Sequence, residues 1–457
     1  MATIKSFNPA TGSLLGEVEL TTRPQIDEMV IRGHAAQKLW AARPLGERRE
    51  IMQKLADHLT AQRREIAEIV SKEIGMPLDQ SYGDVDDTGI SFLQWYIDHA
   101  EEALAPQIIH EDDDVIHTVY REPRGLACSI VPWNFPFSSV IWQCGQNLLS
   151  GNAVILKHSS ENPLSSQLIA KLFQDVLPQD LYQAVFVKGA DADYLTAQDI
   201  NIICFTGSTK VGRGLYEAAA KKFIPVLLEM GGSAPGIVFA DADIDVVLDS
   251  IYFNRFFNCG QVCDGQKRLL VESSVFNEVV EKLKALIEGK KVGDPFEEGV
   301  DMGPLSSIGQ KKEVEDQVER SIAAGAFVVC GGKSLPELGD AYYAPTLLTN
   351  VTPDMAVWSE EVFGPVLPIM PFHTEEEAVR LANDTEYGLG AYVYTSDRAR
   401  YERVASRLES GMVGHNNQYY LKPWNPFGGY KLSGIARHQG IYGFHDVTEL
   451  KIVATEK

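Results

Sequence analysis

A strand, a glycine turn and a helix follow one another in Ile200-Asn201-Ile202-Ile203-Cys204-Phe205-Thr206-Gly207-Ser208-Thr209-Lys210-Val211-Gly212. The run from Ile200 to Phe205 is typical of a strand buried in a parallel sheet, and residues 211–222 continue as a helix. Where a strand passes into a helix, free backbone N–H groups and the helix dipole can bind a phosphate. The third glycine of the common G-x-G-x-x-G pattern is missing, so a purely structural turn stays open as an alternative.

Similar units precede this stretch. Residues 127–131, 153–156 and 185–187 are short apolar runs, and residues 163–177 have helical periodicity. Residues 24–74 show apolar positions at helical spacing among charges, which is typical of surface helices. This alternation of strands and helices predicts a first α/β lobe with a parallel sheet.

A second α/β lobe is predicted from about residue 233 to 433. It opens with a strand at residues 236–239, and Asp241-Ala242-Asp243 then offers a helix cap. Residues 115–123 and 447–453 alternate in period two but lie outside both lobes. Such strands are candidates for a subunit interface.

Composition narrows the class of protein. A chain of 457 residues is too long for one hydrophobic core, and its formal net charge of −22 disfavours binding to nucleic acid or to an anionic membrane. No basic start followed by an apolar run and no apolar stretch of about 18 residues occurs, so we expect a cytoplasmic protein. Its six cysteines lack the spacing of a zinc site, so we expect reduced thiols and no metal.

Two further segments carry groups that suit covalent catalysis. Glu229-Met230-Gly231-Gly232 supplies a carboxylate, and Phe257-Asn258-Cys259-Gly260-Gln261-Val262-Cys263 supplies a thiol in a glycine-containing loop. A thiolate can add to a carbonyl, and a carboxylate can activate the water that later frees the acyl group. Taken singly, each residue is more often a packing or surface residue.

Seven motifs together make the chain resemble the aldehyde dehydrogenase superfamily from end to end. They are Pro132-Trp133-Asn134-Phe135-Pro136, Lys157, the turn at 205–212, Glu229-Met230-Gly231-Gly232, Gly260-Gln261-Val262-Cys263, Glu361-Val362-Phe363-Gly364-Pro365, and Pro426-Phe427-Gly428-Gly429-Tyr430-Lys431-Leu432-Ser433-Gly434. The resemblance implies an α/β fold of two Rossmann-like lobes with a small β oligomerisation extension. Residues 1–105 and 124–231 would form the cofactor-binding domain, 232–432 the catalytic domain, and 106–123 and 443–457 the oligomerisation strands of a homodimer or dimer of dimers.

The resemblance also implies NAD(P)-dependent oxidation of an aldehyde to its carboxylate through a thiohemiacetal and a thioester. Cys263 would be the nucleophile, Asn134 with the Cys263 N–H would bind the oxyanion, and Glu229 would activate water. Lys157 would bind the adenosine ribose of the cofactor, and Trp133 and Ser208 would contact its phosphates. Thr206 and Gly231 would lie beside the nicotinamide, Glu361 would bind the nicotinamide ribose, and Phe363 would pack there. The other expected cofactor-binding residues are Gly207 and Gly212 in the turn, and Ser160.

Cofactor preference depends on Ser160, which stands where NAD-preferring members carry a glutamate. A glutamate there binds both ribose hydroxyls and repels a 2′-phosphate, whereas serine removes the repulsion and can donate to the phosphate beside Lys157. We therefore expect NADP to be favoured and NAD to be usable.

The substrate pocket is expected to include Phe135, Trp142, Phe257, Val262, Asp264 and Phe427. Trp142 and Phe257 stand where some succinate-semialdehyde dehydrogenases place a carboxylate-binding arginine, and Asp264 would repel an anion. A wall of His415, Gln418, Tyr419, Tyr420 and Trp424 is also expected, so a neutral or cationic aldehyde is favoured. Arg255 and Lys422 keep succinate semialdehyde as the alternative, and Phe427 is left open between core and tunnel wall.

Two other classes of protein are alternatives. A cofactor-free thiol hydrolase would need a histidine near Cys263, and none occurs between Arg121 and Lys157 or in the Cys263 loop. A noncatalytic binding protein would tolerate loss of Cys263, Asn134 or Glu229, and all three are present. A disulfide between Cys259 and Cys263 is a further hypothesis, against the alternative that Cys259 is a small buried residue facing away.

Overall fold

The structure, a computed structural model, describes residues 2–457. Its first sheet has six strands in the spatial order Gly434–Ile435, Val226–Glu229, Ile202–Thr206, Leu126–Ile130, Ala153–Lys157 and Tyr182–Val185. All pairings are parallel except that of Gly434–Ile435. Every residue of Leu126–Ile130 is buried, as expected for a parallel strand covered on both faces.

The order of strands in the first sheet reverses at one place. From Leu126–Ile130 the chain adds Ala153–Lys157 and Tyr182–Val185 on one side, and it then returns to add Ile202–Thr206 on the other side. At such a reversal a crevice opens outside the carboxyl ends of the strands. The segments that leave these two central strands, 131–137 and 207–208, lie at that edge.

The second sheet has seven strands in the order Phe327–Cys330, Thr346–Thr349, Val366–Phe372, Gln266–Glu272, Ala234–Val238, Gly390–Tyr394 and Met412–His415. Its pairings are parallel except that of the first two strands. The predicted α/β class with two parallel-sheet lobes is therefore confirmed. Each lobe has its own hydrophobic core, one drawn mainly from residues 26–230 and one from residues 234–408.

A third, antiparallel sheet is built from Gln107–Glu111, Val115–Pro123 and Thr448–Glu456. Val115–Pro123 lies in the centre, and its register places Val115 opposite Glu456 and Pro123 opposite Thr448. Two small antiparallel pairs complete the strands, Thr3–Phe7 with Leu14–Glu19 and Tyr387–Gly388 with Tyr430–Lys431. The amino-terminal hairpin was not predicted from the sequence.

The α-helices follow the strand connections. They are Arg23–Ala41, Leu45–Ala61, Arg63–Ile74, Leu78–Tyr82, Ser91–Leu104, Ser138–Ser150, Pro163–Gln174, Ala190–Ala197, Thr209–Lys222, Ile244–Phe256, Phe276–Glu288, Ile308–Ala323, Ala356–Ser359, Glu375–Asn383, Arg398–Ala405 and Gly440–Asp446. Asp243 caps Ile244–Phe256 by accepting the Val246 N–H at 3.3 Å, as the sequence predicted. Within residues 2–457, no helix is both long and apolar enough to span a membrane.

A π-helix, Gly83–Ile90, joins Leu78–Tyr82 to Ser91–Leu104 and was not predicted. Such segments are rare and are often found at functional sites. Asp84 in this π-helix is fully buried, and its carboxylate accepts the N–H groups of Phe137 and Ser138, each at 3.1 Å. The π-helix is thereby fixed to the start of Ser138–Ser150, which directly follows the Trp133-Asn134 segment.

Candidate active site

Cys263 lies where two cavities meet. One of about 490 Å³, the aromatic cavity, is lined by side chains that include Phe135, Trp142, Phe257, Val262, Asp264 and Phe427. The other, of about 280 Å³, is the glycine-turn cavity, and its lining includes Trp133, Asn134, Thr206, Gly207, Ser208, Gly231, Glu361 and Phe363. Cys263 lines both cavities.

The loop that carries Cys263 is strained and tightly held. Asn258 and Cys259 have φ of 48° and 54°, a left-handed conformation that is unfavourable for residues with side chains. The Asn258 N–H donates to Gln80 Oε1 at 2.8 Å, and the Asn258 amide donates to the carbonyl oxygen of Asn134 at 2.8 Å. Gln261 Oε1 accepts the Ser306 N–H at 2.9 Å. These bonds fix the loop, and therefore Cys263, in one position.

Lys267 orients the peptide that precedes Cys263. Its buried ammonium donates to the carbonyl oxygens of Val262 and Cys263, both at 2.7 Å, and pairs with Glu361 at 3.1 Å. Because a peptide is planar and trans, the Cys263 N–H points away from the Val262 carbonyl and hence away from Lys267. Within residues 2–457 this N–H has no acceptor, so it is free to bind an oxyanion.

Asn134 is placed beside the same loop. Its side chain is buried, and Nδ2 donates to the Gln261 carbonyl at 2.9 Å. An amide nitrogen carries two hydrogens, so this bond fixes the side chain while one N–H is left over. Asn134 and the Cys263 N–H together have the donors of an oxyanion site.

Glu229 ends the strand Val226–Glu229 and is 2% exposed. Neither carboxyl oxygen has a hydrogen-bond partner within residues 2–457, and the group packs against Gly428 and Gly434. Burial raises the pKa of Glu229 well above its ordinary value, and the positive charge of Arg437 opposes this shift. A carboxyl with a raised pKa suits proton transfer near neutral pH.

Burial also raises the pKa of the Cys263 thiol well above its ordinary value. Asp264 adds to the increase through its negative charge, and Lys267 acts against it. Its surroundings therefore favour the thiol over the thiolate, and the proton must leave before the sulfur can act as a nucleophile.

The glycine-turn cavity lies at the strand-order reversal of the first sheet. Thr206 ends one central strand, and Ser208 is the residue before Thr209–Lys222, where its side chain makes no capping bond. Gly231 lies so close to Glu361 that an added methyl group would overlap the carboxylate. The Gly232 N–H donates to Glu361 Oε1 at 3.0 Å. Trp133 and Phe363 meet edge to face, 5.6 Å apart. A helix start, close glycines and a strand reversal fit the phosphates of a dinucleotide.

Three of the expected cofactor residues do not line the glycine-turn cavity. Lys157 is largely buried, and its Nζ donates to the His158 carbonyl at 2.9 Å. Ser160 lines a separate cleft of about 670 Å³ together with Lys5 and Lys188. Gly212 lies against the Met230 side chain, which leaves no room for a Cβ.

All six residues expected in the substrate pocket line the aromatic cavity. Phe135 stacks on Phe257 with ring centres 6.2 Å apart, and Phe427 is buried yet borders the cavity. Asp264 is held by Gln418 Nε2, which donates to Oδ2 at 2.7 Å, and by the Tyr420 hydroxyl at 3.1 Å. Further carboxylates on this wall are Asp79, Asp84 and Asp87. Burial raises the pKa of Asp84 to about 6.

A model of the aldehyde dehydrogenase family matches residues 1–453. The chain belongs to the aldehyde dehydrogenase family. It is 35% identical over 454 residues to mitochondrial succinate-semialdehyde dehydrogenase of Arabidopsis thaliana, which covers 99% of this chain and 86% of the relative. It is 34% identical over 447 residues to the NADP succinate-semialdehyde dehydrogenase of Escherichia coli, and the alignment covers 97% of this chain and 92% of that relative. A crystal structure of PnpE with nicotinamide adenine dinucleotide superposes with a TM-score of 0.96 at 32% identity and covers 99% of this chain and 94% of its own.

The protein is therefore an oxidoreductase, an NAD(P)-dependent aldehyde dehydrogenase. This aldehyde dehydrogenase holds its reactive loop with residues that sequence reasoning missed. Lys267, Asn258 and Gln261 position the loop, and Asp84 fixes the wall of the aromatic cavity. Asn258 and Gln261 lie in the segment 257–263 that carries Cys263, but no local pattern indicates their roles or those of Lys267 and Asp84, because these contacts depend on tertiary packing.

Other expectations about this aldehyde dehydrogenase were wrong. Arg255 is fully buried, and its guanidinium donates to the carbonyls of Val366, Val362 and Gly364, so it supports the Glu361 loop and does not face a substrate. His415 stacks on Tyr401 at 4.3 Å and contacts the Thr395 carbonyl at 3.0 Å, away from the cavity wall.

Two aromatic residues expected in the wall of the aromatic cavity lie elsewhere. Tyr419 and Trp424 are 67% and 56% exposed and do not line the aromatic cavity, so this wall is less aromatic than expected. Both Cys259 and Cys263 are free thiols, and Cys259 belongs to the core of the second lobe. The reversible disulfide between them stays a hypothesis.

Proposed function

We propose that Cys263 adds to an aldehyde bound in the aromatic cavity and that the adduct is oxidised at the boundary with the glycine-turn cavity. The observation that carries the proposal is the position of this thiol, which lines both cavities. The overall reaction converts an aldehyde, NAD(P)⁺ and water to a carboxylate, NAD(P)H and two protons.

In the first step the Cys263 thiol releases its proton to water, and the resulting thiolate attacks the carbonyl carbon. The π bond opens and its electron pair moves to oxygen. The free Cys263 N–H and the second N–H of Asn134 donate to this oxyanion, a kind of stabilisation that is worth about 3 kcal/mol per donor.

When bound, the nicotinamide would accept the hydride, and loss of that hydride would leave the acyl group on Cys263 as a thioester. Trp133, Thr206, Ser208, Gly231, Glu361 and Phe363 would hold the nicotinamide. Glu229 then removes a proton from water, which attacks the thioester carbon, and the C–S bond breaks. Its burial and raised pKa support this role.

The test of this mechanism is rapid mixing of Glu229→Gln with an aldehyde and NAD(P). We expect a burst of one NAD(P)H per active site and then slow turnover, because acylation leads to a thioester that is hydrolysed slowly. Adding coenzyme A tests whether the enzyme transfers the acyl group to a thiol. Faster turnover with coenzyme A would indicate acyl transfer to its thiol instead of hydrolysis. A cofactor-free hydrolase would cleave esters without NAD(P), and a binding protein would form no NAD(P)H.

We further propose that NADP is preferred and NAD is usable. Ser160 shares its cleft with Lys5 and Lys188. Their ammonium groups offset the carboxylates of Glu161 and Asp340, which also line the cleft. The Ser160 hydroxyl can donate to a phosphate. Ser160→Glu should shift the ratio of kcat/KM toward NAD by about tenfold for each 1.4 kcal/mol of differential binding. Ser159→Glu, one residue earlier and not part of the cleft lining, is the matched control.

For the substrate we propose a neutral or cationic aldehyde. The aromatic cavity is lined by Asp79, Asp84, Asp87 and Asp264, with Lys422 as the one basic side chain in the lining described for residues 2–457. Like charges a few ångströms apart repel strongly in a poorly solvated site. The kcat/KM values for butanal and 4-aminobutanal should therefore exceed that for succinate semialdehyde, and the reverse order would overturn the proposal.

Succinate semialdehyde is the second candidate because both relatives described above are succinate-semialdehyde dehydrogenases and because Lys422 lines the cavity. If Lys422 binds the distal carboxylate, Lys422→Met should raise KM for succinate semialdehyde and leave KM for butanal nearly constant. An equal change for both substrates removes Lys422 from that role.

We also propose that the third sheet joins subunits into a homodimer or dimer of dimers. Leu450 and Ile452 are each 63% exposed on its strand Thr448–Glu456 and form an apolar surface suited to contact with another copy. Light scattering of Leu450→Glu/Ile452→Glu should show smaller particles than the unaltered protein. Ile31→Glu, a 71% exposed residue on a helix, is the control. We also propose that the cofactor-binding domain ends at residue 231 and that the catalytic domain begins at residue 232.

A further inference from the structure

We propose that Asp264 selects aldehydes that carry a hydrogen-bond donor, a hydroxyl or an ammonium group, on carbon 2. The inference rests on the proposed function, since it takes Cys263 as the atom that bonds to the aldehyde carbon. It concerns the residue that directly follows the nucleophile and makes one of its two carboxylate oxygens a substrate-recognition group.

The two oxygens of Asp264 have different surroundings. Oδ2 accepts from Gln418 Nε2 at 2.7 Å and lies 3.1 Å from the Tyr420 hydroxyl. Oδ1 lies 3.9 Å from Cys263 Sγ, and within residues 2–457 no other side chain donates to it. The residue is 3% exposed, so an acceptor with unused capacity is buried beside the reacting sulfur.

Asp264 cannot easily turn away from the sulfur. The Tyr392 hydroxyl donates to the Asp264 carbonyl at 2.8 Å and lies 2.9 Å from the Tyr420 hydroxyl, so the backbone and Oδ2 are held by one group of bonds. Gly390 packs against the Asp264 Cβ, where a larger residue would press on both Asp264 and Tyr420. Oδ1 is therefore kept toward Cys263.

The distances favour carbon 2 over other positions. A carbonyl carbon ready to react lies about 3 Å from the sulfur. An oxygen or nitrogen on the next carbon is two single bonds farther, each of about 1.5 Å. Such an atom can come within about 2.8 Å of Oδ1, the length of a charge-assisted hydrogen bond. A donor on carbon 3 is one bond farther from the carbonyl carbon and reaches Oδ1 only with one more rotatable bond fixed, which costs entropy.

The overall negative charge of the aromatic cavity does not by itself favour a donor on carbon 2 over one on carbon 3. Asp79 and Asp87 on the helical wall add negative charge that favours any cationic or neutral substrate. Only an acceptor near the sulfur distinguishes two isomers that differ in the position of one hydroxyl. Burial raises the pKa of Asp264, while the bonds from Gln418 and Tyr420 and the charge of Lys267 favour the ionised, accepting form.

The first experiment compares kcat/KM for 2-hydroxypropanal and 3-hydroxypropanal, with propanal as reference, in the unaltered enzyme. We expect the 2-hydroxy isomer to be favoured over the 3-hydroxy isomer by about tenfold or more, the effect of one charge-assisted hydrogen bond. Equal values, or a preference for the 3-hydroxy isomer, overturn the inference. If no aldehyde yields NAD(P)H, the proposed function itself has failed.

The second experiment repeats the comparison in Asp264→Ala, Asp264→Asn and Asp87→Asn. Both Asp264 variants should reduce the 2-hydroxy to 3-hydroxy ratio to near one, whereas Asp87→Asn should keep the ratio of the unaltered enzyme. The asparagine side chain is nearly isosteric with aspartate and retains an acceptor for Gln418, so Asp264→Asn covers the case in which the alanine variant does not fold. A ratio that persists in Asp264→Asn, or that is lost equally in Asp87→Asn, contradicts the assignment to Asp264.

Discussion

The two cavities that meet at Cys263 are built in different ways. The glycine-turn cavity lies at the carboxyl ends of two adjacent strands and the start of a helix, where Gly207 and Gly231 leave no room for a Cβ. The aromatic cavity is formed by side chains from the π-helix, the Phe135 segment, the Cys263 loop and the segment around Gln418. The first cavity therefore depends on a strand reversal and close glycines, whereas the second contains the side chains that we propose select the aldehyde.

Cys263→Ala tests the point that both cavities share and should have the largest effect. Loss of the sulfur removes the thiohemiacetal, so aldehyde oxidation should fall on the order of 10⁴-fold or more. NAD(P) binding and the thermal midpoint should change little, because one small, partly exposed side chain is shortened. Substantial NAD(P)H formation by the variant would show that the two cavities do not meet at the reacting atom.

Asn134→Ala removes a donor that lies on the glycine-turn side but acts on the aldehyde oxygen. We expect kcat and kcat/KM to fall together by about 10²- to 10³-fold, since the bond forms in the transition state. Alkylation of Cys263 by iodoacetamide serves as the control and should persist, because that reaction forms no oxyanion. A change confined to KM would instead place Asn134 in ground-state binding.

Gly231→Ala tests the glycine-turn cavity directly. The added methyl group would overlap the Glu361 carboxylate, which is held by the Gly232 N–H and Lys267 and cannot yield freely. Overpacking of this kind costs about 1–3 kcal/mol, so Kd for NAD(P) should rise by roughly fivefold to 150-fold.

Gly214→Ala is the matched control for that variant. Gly214 lies in the helix Thr209–Lys222, and a Cβ there meets no atom within 4 Å. Its Kd for NAD(P) should be unchanged, and the thermal midpoint should rise slightly because alanine favours the helix. Equal weakening of cofactor binding in both variants would mean that the Gly231 contact is not the cause.

The same difference explains what the sequence could predict. The strands Leu126–Ile130 and Ile202–Thr206 were predictable because parallel strands are apolar, and the turn after them has a recognisable pattern. The π-helix Gly83–Ile90 has no such signature, so the part it plays in the aromatic cavity was missed. The sequence allowed Arg255 as a substrate contact because it does not reveal that three carbonyls of the Glu361 loop surround this side chain.

Asp264 shows how far a side-chain position can be inferred from sequence. Its place beside Cys263 predicted that it would oppose an anionic substrate, and it does line the aromatic cavity. One of its carboxylate oxygens is held by Gln418 and Tyr420, and the other faces the sulfur. This arrangement depends on a segment about 150 residues farther along the chain. Contacts between such distant segments are set by tertiary packing and have no local pattern.

The smallest expected effect concerns the reactivity of Cys263 in Asp264→Asn. Burial is the main cause of the raised thiol pKa, and the negative charge of Asp264 is the next. Removing that charge stabilises the thiolate relative to the thiol, so the thiol pKa should fall while remaining above its ordinary value. The rate of alkylation by iodoacetamide rises with the thiolate fraction, and its pH profile should therefore move to lower pH.

Asp87→Asn is the control for this last comparison, because Asp87 lines the same cavity but is not among the groups that shift the Cys263 pKa. Its alkylation profile should coincide with that of the unaltered enzyme. A shift of equal size in both variants would assign the effect to the overall charge of the aromatic cavity. A shift in Asp264→Asn alone would show that the side chain next to the sulfur controls the reactivity of the thiol.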